Sequence, residues 1–596
     1  MTDFRELLKN DEFILLDGAM GTMLQASGLK LGGIPEELNF TNPELIEEIH
    51  RKYIAAGARA VYANTFGANR HKLSNSAYSV EEVIKKGIEI AKKAADGKAL
   101  VALDVGSLGR MLRPTGDMPA AEAYDMFKEI MTAGRDAGAD FIVLETMTDL
   151  MEIKTALLAA KENTDLPVVC TMTFEKNLRT FTGCTVASMA LTLGGMGADV
   201  IGMNCSLGPD EAMSICEELL KWSEVPVLIR PNAGLPDPKT NEYSITPSEY
   251  ADIISQMADK GVKLFGGCCG TNPDFISEMA KRLKGRRYSR NIPEIPAAVC
   301  SASNVVTIDT VRIIGERINP TGKKLFKEAL KRRDLDYIMK QAIEQTEGGA
   351  EILDVNVGLP DIDEKEMMLA AVDAVQSVTD APLQIDTTEL DVLEAALRNV
   401  SGKPIINSVN GEDEKLETVL PLVKKYGAAV VGLTLDKDGI PKTTEKRFEI
   451  AQKILKRAME YGIPKRDVYI DCLTLTASAE QDGAVQTLKA IRRVKSELGL
   501  KTVLGVSNIS FGLPNRGLVN STFLTMAMES GLDLPIMNPN LPAMTGAVGA
   551  YRLLSGYDRN GKEYIERFGA EMVMTQTVRG DAAPSLAVLA ETSDIS

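Results

Sequence analysis

The chemistry in this chain concentrates at Gly266–Thr271, GGCCGT, where Cys268 and Cys269 stand side by side between glycines at the end of an apolar run. A third cysteine, Cys205 in VIGMNCSLGP, also follows a short apolar run. Three thiolates at one point select a soft divalent ion, and a zinc with three protein ligands keeps a fourth position open for substrate. Such an ion carries net negative charge and is a weak Lewis acid toward water. It can instead hold a substrate thiol as thiolate at neutral pH. Two other readings compete: buried inert cysteine, and a vicinal disulfide, which needs an oxidising compartment. The adjacent pair and its flanking Gly266, Gly267 and Gly270 favour the metal.

Other polar residues recur at the ends of apolar runs. In the first half, Asp17, Asn64, Asp104 and Glu145 suit an ammonium group, and Asn232 is placed to approach the same metal. The loop from Gly18 to Thr22, GAMGT, offers backbone N–H groups to a carboxylate, so a thiol amino acid fits. In the second half the set is carboxylate and amide: Glu316, Asn319, Asp354, Asn356, Asp386, Asn407, Asp471 and Asn508. Such a ring can pair with the fused donor and acceptor edge of a pterin. Magnesium is the competing reading for clustered carboxylates, and the interleaved asparagines favour an organic ligand. Taken singly, each residue of the first-half set reads equally well as a strand-end cap, whereas the density of the second-half set is hard to explain by capping alone.

The elements that position them repeat. Eight short β-rich runs, from FILLDGAMGT at Phe13 to KLFGGCCGT at Lys263, alternate with longer segments of helical period. Eight more run from VRIIGERINP at Val311 to LDLPIMNPN at 532–540. Continuous apolar strands alternating with helices predict a parallel sheet covered on both faces, and eight per half predict two (β/α)8 TIM barrels in tandem, an α/β fold. The expected domains are residues 1–285, a linker at 286–310 with a lead-in hairpin, 311–575, and a tail at 576–596. The carboxyl ends of barrel strands build active sites, which is where the polar residues fall. In one connecting segment Asn42 caps, Pro43 takes the first turn, and Leu45, Ile46, Ile49, Tyr53 and Ile54 form the apolar face ending near Gly57. His50, in the same helix, is expected at the surface.

A chain of 596 residues with 44% hydrophobic and 25% charged residues reads as globular and multidomain. Its formal charge of −16 argues against a nucleic-acid partner, and the basic run Lys284–Arg290 reads as a solvated linker. The N-terminus lacks the apolar core of a secretion signal and no run of about 18 apolar residues occurs, so no membrane association and a cytoplasmic location are expected. Eight scattered cysteines do not make a disulfide framework.

The motifs resemble the cobalamin-dependent methionine synthase family over nearly the whole chain. LLDGAMGT, ANTFGANRHKL, VLETM, NCSLGP, PNAG and GGCCGT are similar to its homocysteine-binding module. GERINPTG, ILDVNVG, QIDTT, INSVNGE, IDCLTLT and SNISFGLPNR are similar to its methyltetrahydrofolate-binding (pterin-binding) module. The resemblance implies that Cys205, Cys268 and Cys269 bind zinc and that Glu145 helps hold homocysteine, beside Asp17, Gly18 and Asn64, which their positions make candidates for the same substrate. It also implies that Asp386, Asn407, Asp471, Asn508 and Arg516 line the folate pocket, with Asn508 acting catalytically at N5 of 5-methyltetrahydrofolate; Glu316, Asn319 and Asp354 join that pocket as strand-end candidates. Both methyl transfers of that family run to or from the cobalt of cobalamin. No DxHxxG motif occurs, and the only histidines are His50 and His71, so a corrinoid module or protein is expected as partner. A fusion with a flavin-dependent methylenetetrahydrofolate reductase, a different methyl donor, and a noncatalytic folate-binding component with structural zinc are the alternatives.

Overall fold

The computed structural model describes residues 3–28, 33–234, 243 and 245–569; the tail expected at 576–596 lies outside them. Each of the sixteen apolar runs forms a strand, from Ile14–Leu15 to Leu264–Phe265 and from Ile314–Ile318 to Leu534–Met537. All pairings within the two eight-strand sets are parallel. The second set is a closed barrel. In the first, strands one and two meet through a single bridge, Leu16 to Ala60, with Arg59 N donating to Leu15 O at 2.7 Å. The chain therefore folds as two (β/α)8 barrels.

Each barrel is stoppered at the end opposite its polar strand termini. In the first, a short helix, Phe4–Lys9, puts Phe4 and Leu7 against the interior residues Leu100, Phe141, Val200 and Leu264, and Phe4 stacks on Phe141 at 4.1 Å. In the second, the lead-in hairpin does this work. Ala298–Ser301 and Val305–Thr307 pair antiparallel, and Gly402–Lys403 adds a third strand. Ala297, Val299, Val306 and Ile308 then cover Ile314, Ile352, Ile405 and Tyr469. The linker is thus a plug, and the basic run beside it is pinned: Arg286 donates to Ser255 Oγ at 2.6 Å and Arg290 to Val225 O at 2.8 Å. Lys284 and Arg287 of the same run are exposed, as expected of a solvated linker.

The barrels pack on each other through buried and half-buried polar contacts. Lys154 donates to Leu397 O at 2.6 Å and also to Val400 O, at the end of the helix Leu390–Asn399, where a cation complements the exposed carbonyls. Glu162 receives both Arg398 and Lys425 at 2.5 Å. The helix Pro43–Ala56 starts at Pro43 and stops with Gly57 left-handed at φ 114°, as its sequence predicts, but Asn42 holds the N-cap position without a side-chain cap hydrogen bond. His50, however, is fully buried with both ring nitrogens unpartnered, not at the surface. Ile46, Ile49, His50 and Tyr53 follow the i, i+3, i+4, i+7 spacing of one stripe, so the helix itself carries the imidazole into the core. No helix among the described residues is long and apolar enough to cross a membrane.

Candidate active sites at the two barrel mouths

Strand periodicity builds both sites. Side chains alternate across a strand, so a residue two places beyond an interior apolar one also points inward. In the first barrel Ala102 leads to Asp104, Val143 to Glu145, Val169 to Thr171 and Leu228 to Arg230. In the second, Ile314 leads to Glu316, Ile352 to Asp354, Ile405 to Asn407 and Tyr469 to Asp471. The apolar interior layers therefore end in a polar layer at the carboxyl side of each barrel.

In the first mouth the structure brings Cys205, Cys268 and Cys269 together. One sulfur of each lies within 4.8 Å of the others, and Cys205 Sγ is 3.9 Å from Cys269 Sγ. They arrive from different strands. Cys205 and Ser206 adopt left-handed backbone, φ 64° each, just after strand six, an unfavourable conformation for residues with a Cβ that turns the sulfur toward strand eight. The backbone of strand seven locks both segments: Cys205 N donates to Arg230 O at 3.1 Å and Cys268 N to Pro231 O at 2.9 Å. Each of these thiols has one neighbouring thiol that lowers its pKa and one that raises it, and with burial added Cys205 is pushed up to about 11 and Cys269 up to about 12. Ion binding must therefore displace protons. Asn232 is buried and its Oδ1 has no partner, which suits a further oxygen donor beside the sulfurs. The donor set fits zinc.

Beside the sulfurs lies a buried charge cluster whose centre, Arg230, the sequence reading missed. Its guanidinium donates to Glu145 Oε2 at 2.8 Å and to Asp17 Oδ1 at 3.1 Å, and lies 4.0 Å from the centroid of the Tyr62 ring. Burial raises Asp17 to about 7 against the pull of Arg230, and burial likewise raises Glu145. Asp104 lies well above the carboxylate range, through burial first and the charge of Glu145 second. Two expected substrate residues are tied to scaffold. Asn64 donates to Pro35 O at 2.9 Å and Asn39 Oδ1 at 3.1 Å. Gly18 sits where a Cβ would fall 2.9 Å from both Thr271 Oγ1 and the Tyr53 ring. Asn204, also missed, braces the Cys205 segment: its amide exchanges hydrogen bonds with Thr146 and accepts from Thr171 Oγ1 at 2.8 Å.

The second mouth holds Glu316, Asp354, Asp386, Asn407 and Asp471 at its strand ends, with no ion pair to any of its four acids among the described residues. Their partners are neutral. Gln384, a residue the sequence reading passed over, donates to Asp354 Oδ1 at 2.7 Å. Leu473 N donates to Asp471 Oδ1 at 2.6 Å, and Ser507 Oγ to Glu316 Oε2 at 2.9 Å. Burial pushes Asp471 up to about 7 and raises Asp354 and Asp386. Asn319 and Asn356 turn their own loops, accepting from Thr321 N and Gly358 N at 2.9 Å each. Asn508 is exposed in the short turn Val506–Ser510. Arg516 holds that turn, donating to Ser510 Oγ at 2.9 Å and Ser507 O at 3.1 Å, with its guanidinium 4.6 Å from the centroid of the Phe511 ring.

Residues 14–283 match the family model described as homocysteine S-methyltransferase, and residues 315–538 match the one described as pterin binding enzyme. The chain is 34% identical over 582 residues to a methionine synthase of Mycobacterium leprae and 34% over 575 residues to one of Mycobacterium tuberculosis. Each alignment covers 90% of this chain and 48% of the relative, so the chain spans about half the length of the curated relatives it matches. Among solved structures, the homocysteine methyltransferase MmuM from Escherichia coli, oxidised form, is 24% identical, with a TM-score of 0.42 over 47% of this chain and 100% of that one.

Proposed function

We propose that this chain, which carries a homocysteine S-methyltransferase family domain at residues 14–283 and a pterin-binding family domain at 315–538, moves a methyl group from 5-methyltetrahydrofolate to homocysteine, giving tetrahydrofolate and methionine. The observation that carries the reading is the convergence of three sulfurs from two distant segments at the mouth of the first domain.

Cys205, Cys268 and Cys269 would hold zinc, with Asn232 offering its unpartnered oxygen when no substrate is bound. Bound there, the ion supplies acidification of the substrate thiol, so that a thiolate is present at neutral pH. The acids of the same mouth orient the amino-acid end of the substrate. In the second mouth Asp386, Asn407 and Asp471 receive the pterin edge, while Asp354 is held by Gln384 to shape the floor. The amine that loses the methyl group is a poor leaving group unless N5 is protonated or hydrogen-bonded as the bond breaks. Asn508, on its Arg516-braced turn, donates that stabilisation. The pterin-binding match supports this reading over a flavin-dependent reductase.

The two mouths are separate strand-end sites, and transfer requires reacting atoms within roughly 3 to 3.5 Å. A corrinoid, borne by another module or chain, supplies methyl-carrying chemistry between them. A reducing, cytoplasmic setting would keep the three thiols available. The test is direct: zinc-loaded chain with 5-methyltetrahydrofolate and homocysteine alone should make no methionine above background, and adding reduced free cobalamin should restore turnover. Methionine formation with cobalamin rigorously excluded would overturn the mechanism.

A further inference from the structure

Strand six of the second barrel, Val468–Asp471, ends beside a buried cation that forms no ion pair among the described residues. Arg447 stands one turn into the helix Thr444–Glu460 and is fully buried. Its hydrogen bonds all go to neutral acceptors. Nε donates to Pro441 O at 2.8 Å, and Nη1 donates to Cys472 O at 2.9 Å, Leu473 O at 3.1 Å and Thr487 Oγ1 at 2.8 Å, while Nη2 has no partner. Thr487, on the helix Gly483–Arg493, is fully buried as well, and its Oγ1 lies 2.8 Å from Leu473 O.

Taken alone the arrangement is unfavourable, since burial strips a cation of water and the first turns of a helix disfavour positive charge. What Arg447 holds is the turn that carries Asp471. Leu473 is left-handed at φ 58°, a conformation unfavourable for a residue with a Cβ, and from it the Leu473 N–H donates to Asp471 Oδ1 at 2.6 Å. Thr434, just past strand five, donates its N to Asp471 O at 3.0 Å and its Oγ1 to the same oxygen at 3.1 Å. Three successive carbonyls, those of Asp471, Cys472 and Leu473, are therefore fixed. Burial raises Asp471 to about 7 against the Leu473 N–H and the charge of Arg447, both of which favour its carboxylate. The other ionisable groups that face Arg447 are the Cys472 thiol and Glu480, and Glu480 lies 3.9 Å from Lys442.

We infer that Arg447 is a positioning residue for the second mouth: it holds the Cys472–Leu473 turn so that Asp471 is presented to the ligand, and it keeps a permanent positive charge close to that carboxylate without pairing with it. The inference rests on the pterin reading of this mouth. A carboxylate that receives the N–H donors of a pterin edge must be ionised, so affinity should fall as pH drops through the range in which Asp471 gains its proton. Loss of the Arg447 charge should move that fall to higher pH.

Calorimetric titration of the full chain with 5-methyltetrahydrofolate between pH 6 and 9 tests it. Wild-type affinity should fall with a midpoint near 7. Arg447→Met should raise the midpoint by about one pH unit, weakening binding about fivefold at pH 7 and much less at pH 9. Arg447→Lys keeps the charge but not the fork of hydrogen bonds, so it should hold the wild-type midpoint and weaken binding about threefold at every pH. Thr487→Val removes the hydroxyl between Arg447 and Leu473 with the charge in place. It should also weaken binding about threefold at an unchanged midpoint, and it decides the point even where Arg447→Met does not fold. In Asp471→Asn the midpoint should vanish. A midpoint that stays put in Arg447→Met, that moves as far in Arg447→Lys, or that survives in Asp471→Asn overturns the inference, as does wild-type affinity in Thr487→Val, while wild-type binding still supports the pterin reading. If the wild-type chain binds no 5-methyltetrahydrofolate at any pH, both fall together.

Discussion

The two barrels end their apolar interiors the same way and then part company in how they treat charge. The first carries its own cation: Arg230 lies among Asp17, Glu145 and Tyr62, beside three sulfurs. The second sets Asp354, Asp386 and Asp471 among amides and backbone N–H groups, with Gln384, Asn407 and Leu473 N in the place of counter-ions. A site with an internal counter-ion and a metal-ready thiol set suits a small zwitterion with a sulfur. A site of buried, unneutralised carboxylates suits a flat ligand whose edge presents several N–H donors. The shared fold therefore says little about function, and the residues two places beyond the last apolar layer say most of it.

The largest effect expected separates the barrels completely. Cys268→Ala leaves two sulfurs, too few to retain the ion, so homocysteine methylation should fall at least ~100-fold while 5-methyltetrahydrofolate binding is unchanged. Metal analysis of the purified variant decides it, and full zinc occupancy would refute the ligand assignment. The converse variant is Asp386→Ala. Loss of a charge-assisted hydrogen bond of about 1.5 to 3 kcal/mol should weaken 5-methyltetrahydrofolate roughly ten- to hundredfold, leaving zinc and homocysteine binding intact.

Asn508→Ala should act on rate more than on affinity, slowing demethylation about tenfold in single turnover with a Kd change of less than about threefold, because an exposed amide on a braced turn contributes chiefly as charge develops. An equal loss in Kd and rate would make Asn508 a binding residue only. Asp471 adds a pH signature to the same pocket. Its folded-state pKa is raised to about 7 by burial, so the folded protein holds a proton that the unfolded chain releases near pH 4. Stability is then fully present below the unfolded value and declines as pH rises toward 7. Asp471→Asn, which can keep an oxygen for Leu473 N, should raise the melting temperature at pH 8 and leave it unchanged near pH 4.

Much of this was legible in the chain because barrel strands are buried on both faces and read as unbroken apolar runs; all sixteen appear where the pattern places them. Cys205, Cys268 and Cys269 were legible because chemistry restricts what neighbouring cysteines can be. Arg230 was not, since LIRP reads as a strand running into a proline, and nothing local announces that its partners lie 85 and 213 residues away. Asn204 and Gln384 were hidden similarly: each is one polar residue in an apolar run, and only barrel closure gives it neighbours. The plug helix was overlooked because six residues, Phe4–Lys9, are too few to show a helical period.

His50 provides the smallest expected effect on activity and a physical check on the first barrel alone. It is fully buried, both nitrogens lack partners, and burial lowers its pKa from the ordinary 6.5 to about 4. The folded state therefore excludes a proton that the unfolded chain accepts. The sign follows: full stability is present above pH 6.5 and is lost as pH falls from there toward 4, by about 2 kcal/mol at pH 5. Replacing the imidazole with a hydrocarbon removes that proton uptake. His50→Leu should match or slightly exceed wild-type stability at pH 7, since no hydrogen bond is lost, and should gain on wild type progressively as pH drops to 5. Denaturant melts of both proteins across that range give the comparison. Equal pH slopes would mean that the imidazole is solvated or partnered in the folded protein, and the stripe of Ile46, Ile49, His50 and Tyr53 would then not be the closed apolar face that the helix geometry builds.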